Sequence, residues 1–173
     1  KGGGVEKNFF IISNYLAKKI KNISVITVNK EYKNKLDKSI KIISPKTTLW
    51  KNSWIYIKYF ISIYLLIKTI FIYKNYLVFS FQANWYAILT VKLFGGKIIT
   101  RSNTAPEGWS NNFVKKFLYK KFLQLTDVVI VNSKEFKNNI RKNFGVNSLL
   151  IYNPLNKNSI IKQSKKKITF NFF

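Results

Sequence analysis

The chain has 173 residues, 47% of them apolar and 17% aromatic, so it is long and hydrophobic enough to fold as one domain, which excludes a disordered basic tail. The absence of histidine and cysteine excludes disulfides, thiol nucleophiles, His-based triads and metal sites built from imidazole or thiolate. The net charge of +25 suggests a polyanionic partner, either nucleic acid or an anionic membrane surface. Lysines occur in every segment, however, which indicates a general compositional bias rather than a patch built for one ligand.

The first half of the chain is predicted to alternate between helix and strand. Apolar residues at 5, 9, 12, 16 and 20 have the spacing of one amphipathic helix, and three glycines precede it. Such a glycine loop at a helix start can approach a phosphate, but it is equally consistent with a plain turn. Further along, the sequence predicts strands at 23–28 and 40–43, a solvated connection at 30–38 and an apolar helix at 54–73.

The second half continues the alternation. Ser110 and Ser133 are predicted helix N-caps, and glycines at 95–96 and 145 are predicted helix ends. The helix after Ser110 is predicted to turn Val114, Leu118, Phe122 and Leu125 inward, with its lysines in solvent. The other predicted elements are strands at 76–81, 98–100, 127–133 and 148–152 and helices at 85–94 and 133–144.

This alternation predicts an α/β fold, a Rossmann-like parallel sheet with helices on both faces. Because the first helix would follow a strand in such a fold, we expect a strand before residue 1. The chain contains no methionine and opens without a signal-peptide pattern, so we interpret it as a fragment.

Arg101 is the most informative charged residue, because it is one of only two arginines, with Arg141, and follows the strand predicted at 98–100. Open α/β proteins bind ligands where strands run out into loops, and the guanidinium fork suits a carboxylate or a phosphate. The alternative is a surface or strand-end ion pair between Arg101 and Glu107.

Four stretches together resemble the N-terminal domain of the family 4 glycosyltransferases, which are retaining enzymes of the two-domain GT-B fold. They are an N-terminal glycine loop and helix, R-S-N-T-A-P at 101–106, D-V-V-I-V-N-S at 127–133 and I-Y-N-P at 151–154. The resemblance implies an acceptor-side domain over residues 1–155, and at 156–173 a linker with the start of a donor-binding domain.

The resemblance implies substrate-binding roles at the strand ends and the glycine loop. No catalytic residue can be named, because many members use a pair of glutamates in the second domain for the donor. Many members also place a histidine after the fourth strand, where this chain offers Gln82 or Asn84 instead. The implied substrate-binding residues are Gly2, Gly3, Gly4, Glu6, Gln82, Asn84, Arg101, Asn103, Glu107, Asn132, Ser133 and Asn153.

The implied activity is transfer of a hexosyl-type sugar from a nucleotide sugar to a saccharide or lipid-linked acceptor in polysaccharide biosynthesis. The resemblance implies no metal or resident cofactor, since the nucleotide sugar is a co-substrate, and we expect no activity from this chain alone. We expect a cytoplasmic protein in peripheral contact with the inner face of the plasma membrane, without a specific nucleic-acid partner. The alternatives are a basic nucleic-acid-binding module and a truncated product without function.

Overall fold

In the computed structural model, the protein is described at residues 4–47, 54–81, 85–102 and 113–155, and at Ile161 and Ser164. Six strands and five α-helices occur in these ranges, together with a 3₁₀ helix at Lys30–Lys35. The helices are α1 (Gly4–Ala17), α2 (Ile55–Ile72), α3 (Trp85–Leu93), α4 (Phe113–Leu125) and α5 (Lys134–Phe144). The strands are β1 (Ser24–Ile26), β2 (Lys41–Ile43), β3 (Leu77–Ser80), β4 (Lys97–Ser102), β5 (Val128–Val131) and β6 (Leu149–Leu150).

Every strand pair is parallel, and helices connect the successive strands β2 to β6. This confirms the predicted mixed α/β, Rossmann-like fold. The strands are nevertheless divided between a two-stranded sheet, β1–β2, and a four-stranded sheet, β3–β4–β5–β6, where we expected one sheet. Within the described ranges, β1 forms a pair only with β2, and β3 forms a pair only with β4, so no pairing joins the two sheets there. The expected strand before residue 1 stays a prediction.

A shared core joins the two sheets. Ile26 of β1 packs against the cluster formed by Leu66 and Ile70 of α2, α3 residues and Ile98 of β4. Its neighbour Val25 packs on the other side, in a cluster that includes Phe9 and Phe10 of α1. Because successive strand residues point to opposite faces, α1 and α2 cover opposite faces of β1.

Helix α5 has the boundaries that the sequence predicts. The Ser133 hydroxyl accepts a hydrogen bond of 3.1 Å from the backbone N–H of Phe136, and Gly145 closes the helix at a φ of 65°. Its apolar residues, Phe136, Ile140 and Phe144, are all buried. The N-cap and the left-handed C-cap are local signals, so they could be predicted without tertiary information.

Two predictions in the first half need correction or refinement. Helix α1 ends at Ala17, so Ile20 lies beyond it and is 53% exposed, while Ser13 is the buried residue of the helix. The connection predicted to be solvated forms the 3₁₀ helix. The residue after this helix, Leu36, is buried in the cluster that includes Phe9 and Phe10 of α1. Tyr32 packs in the same cluster, and Asn14 of α1 donates to the Lys35 carbonyl and accepts from the Asp37 N–H, so apolar and polar contacts together fix this charged segment to α1.

The orientation predicted for α4 holds for Phe122, which packs against the cluster that contains Ile98, but it is wrong for the other three residues. Leu123 is its fully buried residue, whereas Val114, Leu118 and Leu125 are 61%, 46% and 43% exposed. Leu123 faces inward because it packs against Val129 and Val131 of β5 and against α5, with Tyr119 one turn before it. The prediction for Ser110 lies outside the described residues.

Candidate functional site

The carboxyl ends of three adjacent strands form the candidate site. Arg101 and Ser102 of β4 are in register with Ile130 and Val131 of β5, and Val131 is in register with Leu150 of β6. The segments 132–133 and 151–153 therefore leave the sheet side by side. This is the edge at which open α/β proteins bind ligands.

Arg101 belongs to β4 itself, which corrects the prediction that it lies in the loop after the strand. The strand extends to Ser102 because both residues pair with β5. The Arg101 side chain is only 1% exposed, so it does not lie at the surface. The alternative ion pair with Glu107 stays a prediction, because Glu107 lies outside the described residues. Its Nη2 atom donates to the carbonyl oxygens of Ile151 at 3.0 Å and Tyr152 at 3.4 Å, and to Oδ1 of Asn153 at 3.0 Å.

The charge of Arg101 has no acidic partner within the described ranges, where the ion pairs are Lys35–Glu6 and Lys92–Asp127. Its Nε atom is buried and has no hydrogen-bond partner there. Burial lowers the pKa of the guanidinium from its ordinary value. Within the described ranges, the oxygens that hold this buried cation are all neutral, so it creates a positive potential at the strand ends, which favours an anion there.

Asn132 and Ser133 were also expected in the site, and they differ in whether their side chains are available to a ligand. Ser133 uses its hydroxyl as the N-cap of α5, so that oxygen is already an acceptor in the fold. The side chain of Asn132 is half-buried, and in the described part of the chain it takes part in no hydrogen bond. Asn132 therefore offers an amide donor and acceptor to a ligand, whereas Ser133 primarily positions the helix.

Tyr119 of α4 is a neighbour of the site that sequence reasoning missed. Burial raises the pKa of its phenol. The missed signal is the i, i+4 spacing of Tyr119 and Leu123, because these two residues rather than the leucines at 118 and 125 share the inward face.

We predict that Tyr119 limits stability at alkaline pH. Because its folded-state pKa is raised, the phenol contributes stability that is complete below the unfolded-state pKa of about 10 and is lost as pH rises above it. Urea unfolding of Tyr119→Phe above pH 10 should show a smaller loss of stability with pH than the parent. The exposed Tyr15 provides the control, because Tyr15→Phe should retain the parent's pH dependence, and equal slopes in all three proteins would contradict the prediction.

Residues at the start of α1 contact the 3₁₀ helix and the end of β3. Glu6 pairs with Lys35 at 3.7 Å. The pKa of the nearby Tyr32 phenol is raised by burial and by the Glu6 carboxylate. Phe9, one turn further, packs edge-to-face on Phe81 directly after β3, with ring centroids 5.0 Å apart. The helix therefore starts near the carboxyl end of β3, but Glu6 is engaged with the 3₁₀ helix rather than with Arg101.

Gly4 has open space where a Cβ would stand, so packing inside the protein does not require a glycine there. The structure thus brings together Arg101, Asn132, Ser133 and Asn153, and positions Gly4 and Glu6 on another element. Half of the predicted residues lie outside the described ranges: Gly2, Gly3, Gln82, Asn84, Asn103 and Glu107.

A groove of about 320 Å³ lies at the opposite end of the sheet. It is lined by residues that flank the amino ends of β3 and β4, including Tyr76, Gly96 and Lys97. None of the predicted site residues lines it. In the part of the chain that the structure describes, no group of three or more acidic residues is arranged to hold a metal ion.

Comparison with known proteins gives this chain no family. No protein-family model matches it, and no curated protein matches it significantly.

Proposed function

We propose that the chain is the acceptor-side domain of a glycosyltransferase that moves a sugar from a nucleotide sugar to a saccharide or lipid-linked acceptor. One observation carries this proposal: Nη2 of Arg101 donates to Oδ1 of Asn153 at 3.0 Å. These residues come from two of the motifs on which the resemblance to family 4 glycosyltransferases depends, R-S-N-T-A-P and I-Y-N-P. Motifs about 50 residues apart in sequence are thus joined at the edge of the sheet where the third, ending in Asn132 and Ser133, also arrives.

The chemistry of sugar transfer suits what this edge offers. The transition state has a departing diphosphate and a positively charged sugar, and preorganised N–H donors and a fixed positive potential stabilise the diphosphate. Arg101 supplies the potential from beneath the surface, and Asn132 supplies an amide that makes no hydrogen bond within the described residues. The donor half of the reaction belongs to a second domain in the two-domain enzymes that the chain resembles, so we propose that this chain alone has no turnover.

The test is a titration of the ¹⁵N-labelled chain with uridine diphosphate, guanosine diphosphate and a panel of saccharides, followed by amide chemical shifts. We expect saturable changes at Ser102, Asn132, Ser133 and Asn153, and none at exposed α5 positions such as Asn138. The variant Asn132→Ala should weaken binding while its urea midpoint stays at that of the parent. Asn138→Ala is the matched control, since it removes an exposed amide from the same region and should leave binding unchanged.

Two results would overturn this proposal. One is the absence of any ligand-dependent shift at the strand ends in the presence of millimolar ligand, a concentration at which weak sites of about 4 kcal/mol are occupied. The other is sugar transfer by the purified chain alone, which would contradict the division of labour between two domains.

The second candidate is a nucleic-acid-binding module, and only the net charge of +25 favours it. The exposed lysines are spread over several elements rather than gathered on one face, for example Lys7 of α1, Lys68 of α2, Lys116 of α4 and Lys137 of α5. Such a distribution gives weak binding without sequence preference, which decreases steeply with salt. Selective binding of one sequence at physiological salt would favour this candidate instead.

We also propose that the protein works at the inner surface of the plasma membrane, as a peripheral protein. A lipid-linked acceptor would be presented there, and anionic lipids attract a basic protein without requiring a specific arrangement of charges.

A further inference from the structure

We propose that the outward faces of α2 and α4 form one docking surface for an anionic lipid bilayer. This inference rests on the peripheral membrane contact proposed above and assigns it to particular residues.

Helix α2 presents a stripe of aromatic side chains to solvent. Tyr56, Phe60, Tyr64 and Phe71 are 71%, 77%, 61% and 72% exposed, and their spacings of four, four and seven place them on one helix face. Trp54, at the N-cap, is 77% exposed. A soluble protein rarely leaves so many large apolar side chains contiguous in water, and such a patch commonly marks an interaction site.

The opposite face of α2 belongs to the protein core. Leu65, Leu66 and Ile70 are buried, and the last two pack with α3 and β4. By length and composition α2 could cross a membrane, and only 17% of it is buried in the protein. A spanning helix would have to leave the core contacts, whereas a helix lying flat on a bilayer keeps them and buries the aromatic stripe.

Helix α4 contributes a second apolar strip. Phe113 and Phe117 are 81% and 51% exposed and lie one turn apart. Lys121 continues the same face, with its Nζ 5.6 Å from the centre of the Phe117 ring, and Lys116 is exposed beside it. Aromatic rings flanked by lysines match the two layers of a bilayer interface, because the rings enter the acyl boundary while the ammonium groups meet anionic headgroups.

Helix α3 connects these two surfaces. Tyr86 packs on Tyr59 of α2 with ring centroids 6.1 Å apart, and Trp85 stacks on Phe122 of α4 at 5.5 Å. All three helices contribute to the cluster on the same side of Ile98, so they form one layer over the sheet. The exposed faces of α2 and α4 therefore point away from the sheet on the same side of the molecule, where a flat partner can contact both.

The choice of a bilayer over another occupant follows from charge. The chain carries a net charge of +25, and exposed lysines border both strips, among them Lys68, Lys116 and Lys121. A second copy of this chain would bring equal positive charge to the same surface and be repelled. An anionic leaflet supplies opposite charge and an apolar interior together.

The experiment compares sedimentation with phosphatidylcholine vesicles that contain or lack phosphatidylglycerol, at low salt. We expect the intact chain to pellet with the anionic vesicles only. The double variant Phe60→Ser with Phe117→Ser should reduce the partition coefficient at least about tenfold, since burying even part of two phenylalanine side chains is worth more than that factor. The matched control, Tyr15→Ser with Ile20→Ser, removes residues 62% and 53% exposed on the α1 side and should bind as the parent does.

Equal binding by the two double variants, with circular dichroism spectra like the parent's, would overturn the proposal and leave only general charge attraction. It would also be overturned by concentration-dependent dimers in analytical ultracentrifugation that the Phe60→Ser, Phe117→Ser variant abolishes, because a second copy would then cover this surface. Neither result bears on the ligand titration at the strand ends, so the membrane surface and the transferase site fail or succeed separately.

Discussion

Arg101→Ala should lower the free energy of unfolding by about 3 kcal/mol, through lost hydrogen bonds and a cavity where the long side chain was. The guanidinium joins β4 to the segment after β6 through three oxygen acceptors, at Ile151, Tyr152 and Asn153. Without it, two carbonyl groups and one side-chain amide lose their common donor. Relief of the desolvated charge offsets part of the loss, which is why we expect less than the full sum of three bonds.

The measurement is urea unfolding monitored by circular dichroism, and the chain contains its own control. Arg141 is the only other arginine and is exposed on α5, so Arg141→Ala should change stability by no more than about 0.5 kcal/mol. Arg101→Lys should fall between the two, because an ammonium cannot reproduce the fork of the guanidinium. If Arg101→Ala and Arg141→Ala had the same midpoint, the bonds to residues 151–153 would contribute nothing measurable to the fold.

Sequence signals that act within one helical turn predicted element boundaries better than patterns that depend on pairing with distant residues. The boundaries of α5 follow from Ser133 and Gly145, whose effects act within one turn, and both were predicted correctly. The length of β4 could not be predicted in the same way, because Arg101 and Ser102 are held in the strand by pairing with residues about 30 positions later. Where a strand ends depends on the strand with which it pairs, and a single sequence does not show which strand that is.

The same difference between local and long-range signals applies to the candidate site. That polar residues follow strands could be predicted from sequence, since parallel strands bring their carboxyl ends to one edge. That Arg101 is buried and holds Asn153 could not, because an arginine at the end of a strand is exposed in most proteins. Tyr119 escaped prediction because two overlapping apolar stripes on α4 are both helical in period, and only contact with β5 decides between them.

The second prediction with a large expected effect also concerns α4, and it compares the same substitution to alanine at two leucines of that helix. Leu123→Ala should cost about 3 kcal/mol, since Leu123 is fully buried among Val129, Val131 and the α5 residues and its removal leaves a cavity. Leu118→Ala should cost less than about 0.5 kcal/mol, because that side chain is 46% exposed and outside the buried cluster.

Both substitutions remove the same atoms at similar helix propensity, so the difference in urea midpoints measures which face of α4 meets the sheet. The reverse order, with Leu118→Ala the more destabilising, would restore the inward stripe predicted from periodicity alone. It would also turn Phe113 and Phe117 away from their present positions, since both are fixed to the same helix as Leu123. The orientation of one helix therefore decides both how the core is closed over β5 and whether the proposed membrane surface exists.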